Sequence, residues 1–226
     1  MGVKTTSISS NSALDVLKAT QSILGTGWTI DEENIALWKD SPSAFPVGLI
    51  KATAGSSVHI TPCCKDSAGN IVYENNYSAY GYVVQSSVSN IEIAVFTSPS
   101  GSIAISFKDY SNSEHTPHFG FINTNVDSSS LFIPISAKTG SYSYLFYYPG
   151  TNKTYSTNGL AIDVNGTSYV LVNVVFPYTS TVLSDFYTLA SRCSDPPLVL
   201  TNGSQKFIRL YCYNPEYGGV YYMRYV

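Results

Sequence analysis

The segment from Ile91 to Ile122 most constrains the fold, because it combines two alternating apolar runs with a turn signal between them. Apolar residues of one parity would line one face of a hairpin: Ile91, Ile93 and Val95, then Ile103, Ile105 and Phe107. Ser98-Pro99-Ser100-Gly101 supplies the turn, and a third run, His118 to Ile122, follows a polar loop. The residues of opposite parity are a mixture of polar and apolar types, which predicts a second face that is partly exposed to solvent and partly covered by a neighbouring element.

The pattern of the whole chain predicts a mainly β protein, built as an antiparallel β-sandwich or as barrel-like sheets with one short N-terminal α-helix. A length of 226 residues allows one large β domain or two domains of about 100 residues. The polar stretch after residue 122 places a boundary there, giving an N-terminal subdomain at 1–122 and a C-terminal subdomain at 123–226. The order of strand and loop near the C-terminus resembles that of the first hairpin, so two related β subdomains and a single domain both stay open.

The helix is predicted from Ala13 to Leu24. Ser12 is a good N-cap residue, Asp15 stands where a capping box has its acidic residue, and Leu14, Leu17 and Leu24 recur at helical spacing. The segment Gly25-Thr26-Gly27 ends the helix. Trp28 is then expected to seat the helix on the sheet.

Further strands are predicted wherever short β-rich runs lie between turn residues: 47–53, 58–61, 71–73, 80–84, 131–136, 142–148, 159–164, 169–176, 207–211 and 220–226. Pro62 should stop the strand at 58–61, because proline cannot donate a ladder hydrogen bond. The spacing of Val182, Phe186 and Leu189 allows a short helix at 180–191.

Charged residues make up only 12% of the chain, which has a net charge of -3 and 19 tyrosines. There is no basic patch to neutralise phosphates, so direct binding of nucleic acid is not expected. Low charge with abundant tyrosine favours contact with other subunits or with a sugar-like ligand. The alternative is an uncharged Ser/Thr-rich β protein without such a surface.

No motif in the sequence points to catalysis, a metal or a cofactor. The segment from His115 to His118, with Asp109 and Glu114 nearby, is the only cluster of metal-ligand residue types, and a solvated loop explains it better than a site does. The cysteines lack paired spacing, so all four are expected to be reduced. Neither a signal peptide nor an apolar run long enough to cross a membrane is expected.

Motifs at both ends carry a resemblance to a known group of proteins. An amphipathic helix leads into Gly27-Trp28-Thr29-Ile30-Asp31, and near the C-terminus Asn202-Gly203 precedes the apolar run from Phe207 to Tyr213 and an aromatic segment ending at Tyr225. This order resembles bacteriophage and prophage virion structural proteins of the tail-associated type, although Met223-Arg224 stands where that group has a glycine-aromatic pair.

The resemblance implies a non-enzymatic structural component of a tail, baseplate or neck. Such a component would occur as a homo-oligomer in contact with other virion proteins, assembled in the bacterial host cytoplasm, with no catalytic residues, cofactor or metal. The rival hypothesis is a host-surface or glycan-binding β module, for which tyrosine-rich segments would provide stacking faces.

The last strand is the candidate subunit interface, because neither of its faces is polar. Something must therefore cover both sides, and the residue types are those that interfaces enrich. The candidate residues are Tyr217, Tyr221, Tyr222, Met223, Arg224 and Tyr225. A strand sandwiched inside one chain is the alternative.

Overall fold

The structure is a computed structural model, and it describes most of the chain. The described residues are 2–40, 47–54, 56–65, 68–72, 82–84, 89–109, 118–123, 130–135, 154–176, 181–190, 193, 196–210 and 221–226.

Seventeen strands and one helix make up the regular structure of this part of the chain. In chain order they are β1 (Gly2–Ser10), α1 (Ala13–Leu24), β2 (Trp28–Asp31), β3 (Ala36–Lys39), β4 (Val47–Ala54), β5 (Ser57–Lys65), β6 (Ile71–Val72), β7 (Tyr82–Val84), β8 (Ser89–Thr97), β9 (Ile103–Asp109), β10 (His118–Asn123), β11 (Ser130–Ile135), β12 (Thr154–Val164), β13 (Thr167–Phe176), β14 (Thr181–Leu189), β15 (Val199–Asn202), β16 (Gln205–Arg209) and β17 (Tyr221–Arg224). The prediction of a mainly β protein with one short N-terminal helix is confirmed.

The strands form three antiparallel sheets. The first sheet has the order β1-β8-β9-β10-β11, and the second has the order β2-β3-β4-β5-β6 with β7 also paired to β5. The third, which we call the C-terminal sheet, has the order β12-β13-β14-β17-β16-β15. Its two end strands, β12 and β15, come close to each other, so this sheet is nearly closed and barrel-like.

Helix α1 forms where local signals predict it. The Ser12 hydroxyl accepts a hydrogen bond from the backbone N–H of Asp15 at 3.3 Å, as an N-cap does. Gly25, with φ of 82°, then ends the helix in a conformation that costs a glycine little. Val16 and Leu17 are fully buried in one core cluster with Trp28, which confirms that Trp28 helps to seat the helix.

The predicted hairpin is β8 and β9, and it forms the centre of the first sheet. Its apolar parity lies in the core beneath α1, where Ile91, Ile93, Val95, Ile105 and Phe107 are all buried. The opposite face of the hairpin is less exposed to solvent than its mixture of polar and apolar residues predicts. Its members Ala94, Phe96, Ala104 and Ser106 are buried too.

The C-terminal sheet begins with a tight hairpin. Val164 pairs directly with Thr167, so the turn between β12 and β13 consists of two residues, Asn165 and Gly166. Their φ angles are 51° and 81°. Positive φ at both central residues is what a two-residue turn of type I′ requires, and Asn-Gly provides it at least cost. The interior of this sheet holds Ile162, Leu171, Leu200, Phe207 and Tyr222.

Two predictions about individual segments are corrected. Residues 181–189 are strand β14 and not a helix, because pairing with β13 on one side and β17 on the other outweighs a weak helical spacing. Residues 2–10, for which no element was predicted, form strand β1. Strand β5 does not stop at Pro62 but continues to Lys65.

Proline is tolerated in β5 because of where it stands along the strand. Pro62 lies opposite Leu49 of β4 on one edge. On the other edge, β7 pairs with Val58–Ile60 and β6 pairs with Cys64 and Lys65. Pro62 lies between these two partners, where no described strand needs a backbone N–H from β5.

The proposed boundary at residue 122 falls next to a pairing that crosses it. Strand β11, which follows the boundary, pairs with β10 from His118 to Asn123 and therefore extends the first sheet. The division into 1–122 and 123–226 stays a prediction. Predicted strand 142–148 lies outside the described residues.

Gly48 in β4 should not tolerate a side chain. A Cβ there would overlap the carbonyl oxygen of Leu37 and lie 2.8 Å from Cε3 of Trp38. An unstrained glycine-to-alanine change usually stabilises a protein by about 0.4–1 kcal/mol. We expect Gly48→Ala instead to lower the free energy of unfolding by about 2–3 kcal/mol, measured by urea unfolding. Thr53→Ala, at an exposed position of the same strand, is the control, and a stabilised Gly48→Ala protein would contradict the prediction.

Candidate functional site

The most developed polar arrangement in the described part of the chain surrounds Asp185 of β14. This carboxyl group is only 1% exposed. One oxygen, Oδ2, accepts hydrogen bonds from the hydroxyl of Ser98 at 2.7 Å, from that of Ser102 at 2.9 Å, and from that of Ser100. The other oxygen, Oδ1, accepts from Arg224 Nη2 of β17 at 2.9 Å. We call these five residues the Asp185 cluster.

The turn between β8 and β9 positions the three serines. The backbone N–H of Ser98 donates to the carbonyl of Ser102 at 2.9 Å, and the backbone N–H of Ser102 donates to the Ser98 hydroxyl at 2.9 Å. Gly101, with φ of 88°, lets the chain reverse inside this small loop. Alternate residues of the turn therefore present their hydroxyls to one point, where Asp185 lies.

The cluster joins parts of the chain that are far apart in sequence. The serines belong to the first sheet, whereas Asp185 and Arg224 belong to neighbouring strands of the C-terminal sheet. A carboxylate that accepts four hydrogen bonds is fully satisfied even though it is buried. The arrangement therefore ties the β8–β9 turn to the C-terminal sheet.

Electrostatics favour the ionised form of Asp185. Burial is the largest single influence and would raise the pKa, but hydrogen bonds from Ser100, Ser98, Ser102 and Arg224 together outweigh it. The pKa of Asp185 is consequently lowered from its ordinary value. The aspartate is a stable anion paired with a cation.

This chemistry suits a structural tie better than a catalytic group. A general base works best when its pKa lies near the working pH, and that of Asp185 is shifted away from it. None of the five residues is a histidine that could relay a proton to a serine. Ser98 and Ser102 are each 2% exposed, so Ser100 is the one serine of the cluster that reaches the surface.

Sequence reasoning did not find the cluster. The available signal was weak: serines at three alternating positions of a turn, and a single aspartate within the apolar run of β14. Only the pairing of β14 with β17 brings Asp185 next to Arg224.

The candidate interface residues divide between several environments. Tyr217 lies outside the described residues, and for Tyr221 the structure gives only its place in β17. Tyr222 and Met223 are fully buried within the chain itself. Arg224 belongs to the Asp185 cluster, and Tyr225 is half-buried.

Tyr222 and Met223 are thus covered by the chain itself, and Tyr222 belongs to the core cluster of the C-terminal sheet. Tyr222 and Met223 therefore need no partner subunit to cover them. An interface at this strand stays a prediction.

The histidines considered as metal ligands lie in parts of the chain whose side chains the structure does not describe. The loop of His115 lies outside the described residues, as does the side chain of His118. Where side chains are described, no group of three or more His, Cys, Asp or Glu could hold a metal ion. No helix in the same part of the chain is long and apolar enough to cross a membrane.

Comparison of the chain with protein-family models, with curated proteins and with solved structures finds no match in any of the three.

The Asp185 cluster should make folding stability depend on acid pH. A carboxyl group whose folded pKa lies below its unfolded value of about 3.9 stabilises the fold above that pH. This contribution is lost as the pH falls through the folded pKa. We therefore expect the difference in unfolding free energy between the wild type and Asp185→Asn to shrink as the pH falls from about 5 to about 2 in urea titrations. A difference that stays constant over this range would contradict the assignment.

Proposed function

We propose that the protein is a non-enzymatic structural component of a bacteriophage virion, in the tail, baseplate or neck. It would be present in several copies, contact other virion proteins and assemble in the bacterial host cytoplasm. The observation that carries the proposal is the Gly27-Trp28-Thr29 segment after a capped amphipathic helix, which resembles tail-associated virion proteins. In support, α1 and Trp28 pack into one core and so behave as a single structural unit.

The nature of the Asp185 cluster also supports a structural role. Its carboxylate accepts hydrogen bonds from all three hydroxyls and from Nη2 of the guanidinium. A buried carboxylate whose four hydrogen bonds join two sheets is useful to a part that must keep its shape within a larger assembly.

A host-surface or glycan-binding module is the rival function, and no described aromatic surface favours it. Trp28 and Trp38 are each 6% exposed and Tyr222 is fully buried, so they offer no stacking face for a sugar ring. The tyrosine-rich stretches at 142–148 and 217–220 lie outside the described residues. Glycan binding is therefore kept as an outcome of the test.

The test is to locate the chain in phage particles produced by a host that carries its gene. Particles purified on a density gradient are analysed by quantitative mass spectrometry and by electron microscopy with a specific antibody. We expect several copies per particle, with label at the tail or neck, and defective particles when the gene is deleted and not complemented. Absence from intact particles would overturn the proposal, and glycan-array binding by such a particle-free protein would favour the rival.

A further inference from the structure

Strand β1 is an edge strand of unusual regularity. It pairs with β8 along all nine residues, from Gly2 opposite Thr97 to Ser10 opposite Ser89, without a bulge. No described strand pairs with its other edge. Alternate residues therefore direct backbone N–H and C=O groups outward, where another strand could bind them.

The exposure of β1 agrees with an uncovered edge. Val3, Lys4 and Thr5 are exposed in succession, so side chains of both parities reach the surface at this end of the strand. Val3, a large apolar residue, is 37% exposed. A strand with a neighbour on only one edge has fewer adjacent side chains to cover its own, so its side chains are more exposed.

Natural edge strands usually carry a device that prevents pairing, such as a proline, a bulge, several charges or a very short length. Strand β12, the longest edge strand, has a register shift between Tyr155 and Gly159 and lies close to β15. Strand β2 is only four residues long. Strand β1 has no proline and no bulge, and Lys4 is its single charge.

Hydrogen bonds also fix the position of β1 at its C-terminal end. At its end the Ser10 hydroxyl donates to Asp15 Oδ2 at 2.9 Å and accepts from the backbone N–H of Ser12 at 3.0 Å, which fixes the corner between β1 and α1. Little conformational entropy would be lost when this strand pairs with another.

We propose that the outer edge of β1 binds β1 of a second copy of this chain, antiparallel and about a twofold axis. The first sheets of the two copies then become one continuous ten-stranded sheet, twice the five strands of each. A twofold axis at the central residue, Thr6, gives the largest overlap. Each interface residue of one copy then has its counterpart in the other.

The sequence of β1 is complementary to itself in this register. Thr5 lies opposite Ser7 of the second copy, and Thr6 opposite Thr6, so hydroxyl side chains form cross-strand pairs. Lys4 lies opposite Ile8 and not opposite the second Lys4, so like charges do not face each other. The register thus accounts for an edge rich in Ser and Thr with one lysine.

This interface does not depend on the virion proposal, because it follows from the strand edge alone. It does name a contact through which copies of the chain would associate. A protein absent from virions could still form this dimer, and a virion protein could lack it.

The experiment measures self-association by sedimentation equilibrium over concentrations up to about 100 µM, a range that detects dissociation constants at the micromolar level. The wild type should be dimeric at the upper end. Thr5→Lys/Ser7→Lys, which places introduced lysines opposite each other in both cross-strand pairs, should be monomeric, and so should Thr5→Glu/Ser7→Glu. Mixing the two variants should restore a dimer that contains one chain of each.

Controls separate this result from misfolding. Thr5 and Ser7 are exposed, so thermal unfolding of the isolated variants should match that of the wild type. Thr201→Lys/Ser204→Lys adds the same charge at exposed positions of the C-terminal sheet and should leave the dimer intact. A monomeric wild type, a dimer that persists in both variants, or a mixture that stays monomeric would each overturn the proposal.

Discussion

Replacing Asp185 with alanine should lower the free energy of unfolding by about 3 kcal/mol, because it removes one partner of a buried, hydrogen-bonded ion pair. Three serine hydroxyls lose their common acceptor, and two of those serines are almost fully buried. Arg224 would keep its charge next to the cavity. Its side chain is 26% exposed, so water can solvate it in part, which places the cost at the lower end of the range for such pairs.

Urea unfolding at neutral pH measures this effect, and two variants calibrate it. Asp163→Ala removes an exposed carboxylate from β12 of the same sheet and should change stability by no more than about 0.5 kcal/mol. Asp185→Asn keeps the shape and one acceptor oxygen, so it should cost less than Asp185→Ala. If Asp185→Ala unfolds like Asp163→Ala, the cluster does not hold the sheets together.

A double-mutant cycle tests whether the tie crosses between the sheets. Ser102 and Asp185 are in direct contact, so the two alanine substitutions should not be additive, with a coupling energy of about 0.5 kcal/mol or more. Additive costs would mean that Asp185 acts only within its own sheet.

Replacing Tyr222 with alanine should lower the free energy of unfolding by about 3–5 kcal/mol, as for other large buried aromatic residues. Tyr222 is fully buried, and it shares a core cluster with Leu171, Leu200 and Phe207. Its hydroxyl donates to the carbonyl of Pro197 at 2.6 Å, which ties the segment before β15 to the sheet. Alanine would remove both the packing and this hydrogen bond.

Two further variants separate these contributions. Tyr222→Phe keeps the ring and loses only the hydrogen bond, so we expect a cost of about 1 kcal/mol. Tyr225→Ala truncates a half-buried tyrosine immediately after the same strand and should cost clearly less than Tyr222→Ala. Sedimentation of each variant under folding conditions gives its assembly state. If Tyr222→Ala keeps its stability and loses only self-association, the side chain serves an interface and not the core.

Local sequence patterns were enough for α1 and for the central hairpin. The helix depends on the Ser12 cap, on the spacing of its leucines and on Gly25, all of which act within a few residues. The hairpin depends on alternation around a four-residue turn, so its partners are adjacent in sequence. Signals of this range can be evaluated without the rest of the fold.

Segments whose structure depends on distant partners were predicted less well. Strand β1 is rich in Ser and Thr and shows no alternation, yet it pairs with β8, which begins about eighty residues later and supplies its regular ladder. Strand β14 has the spacing of a short helix, but β13 and β17 satisfy its backbone as a strand. In both cases long-range hydrogen bonding overrides a weak local preference.

The amino-acid sequence by itself determined that this protein is mainly β, that a capped helix precedes the first tryptophan, and which face of the central hairpin is apolar. Only the tertiary structure decided that Tyr222 belongs to the core of its own chain and that Ser98, Ser100 and Ser102 meet Asp185. The reason is physical. Alternation and capping record how a side chain relates to its neighbours in sequence, whereas the partner of a buried carboxylate is set by which strands become neighbours in a sheet.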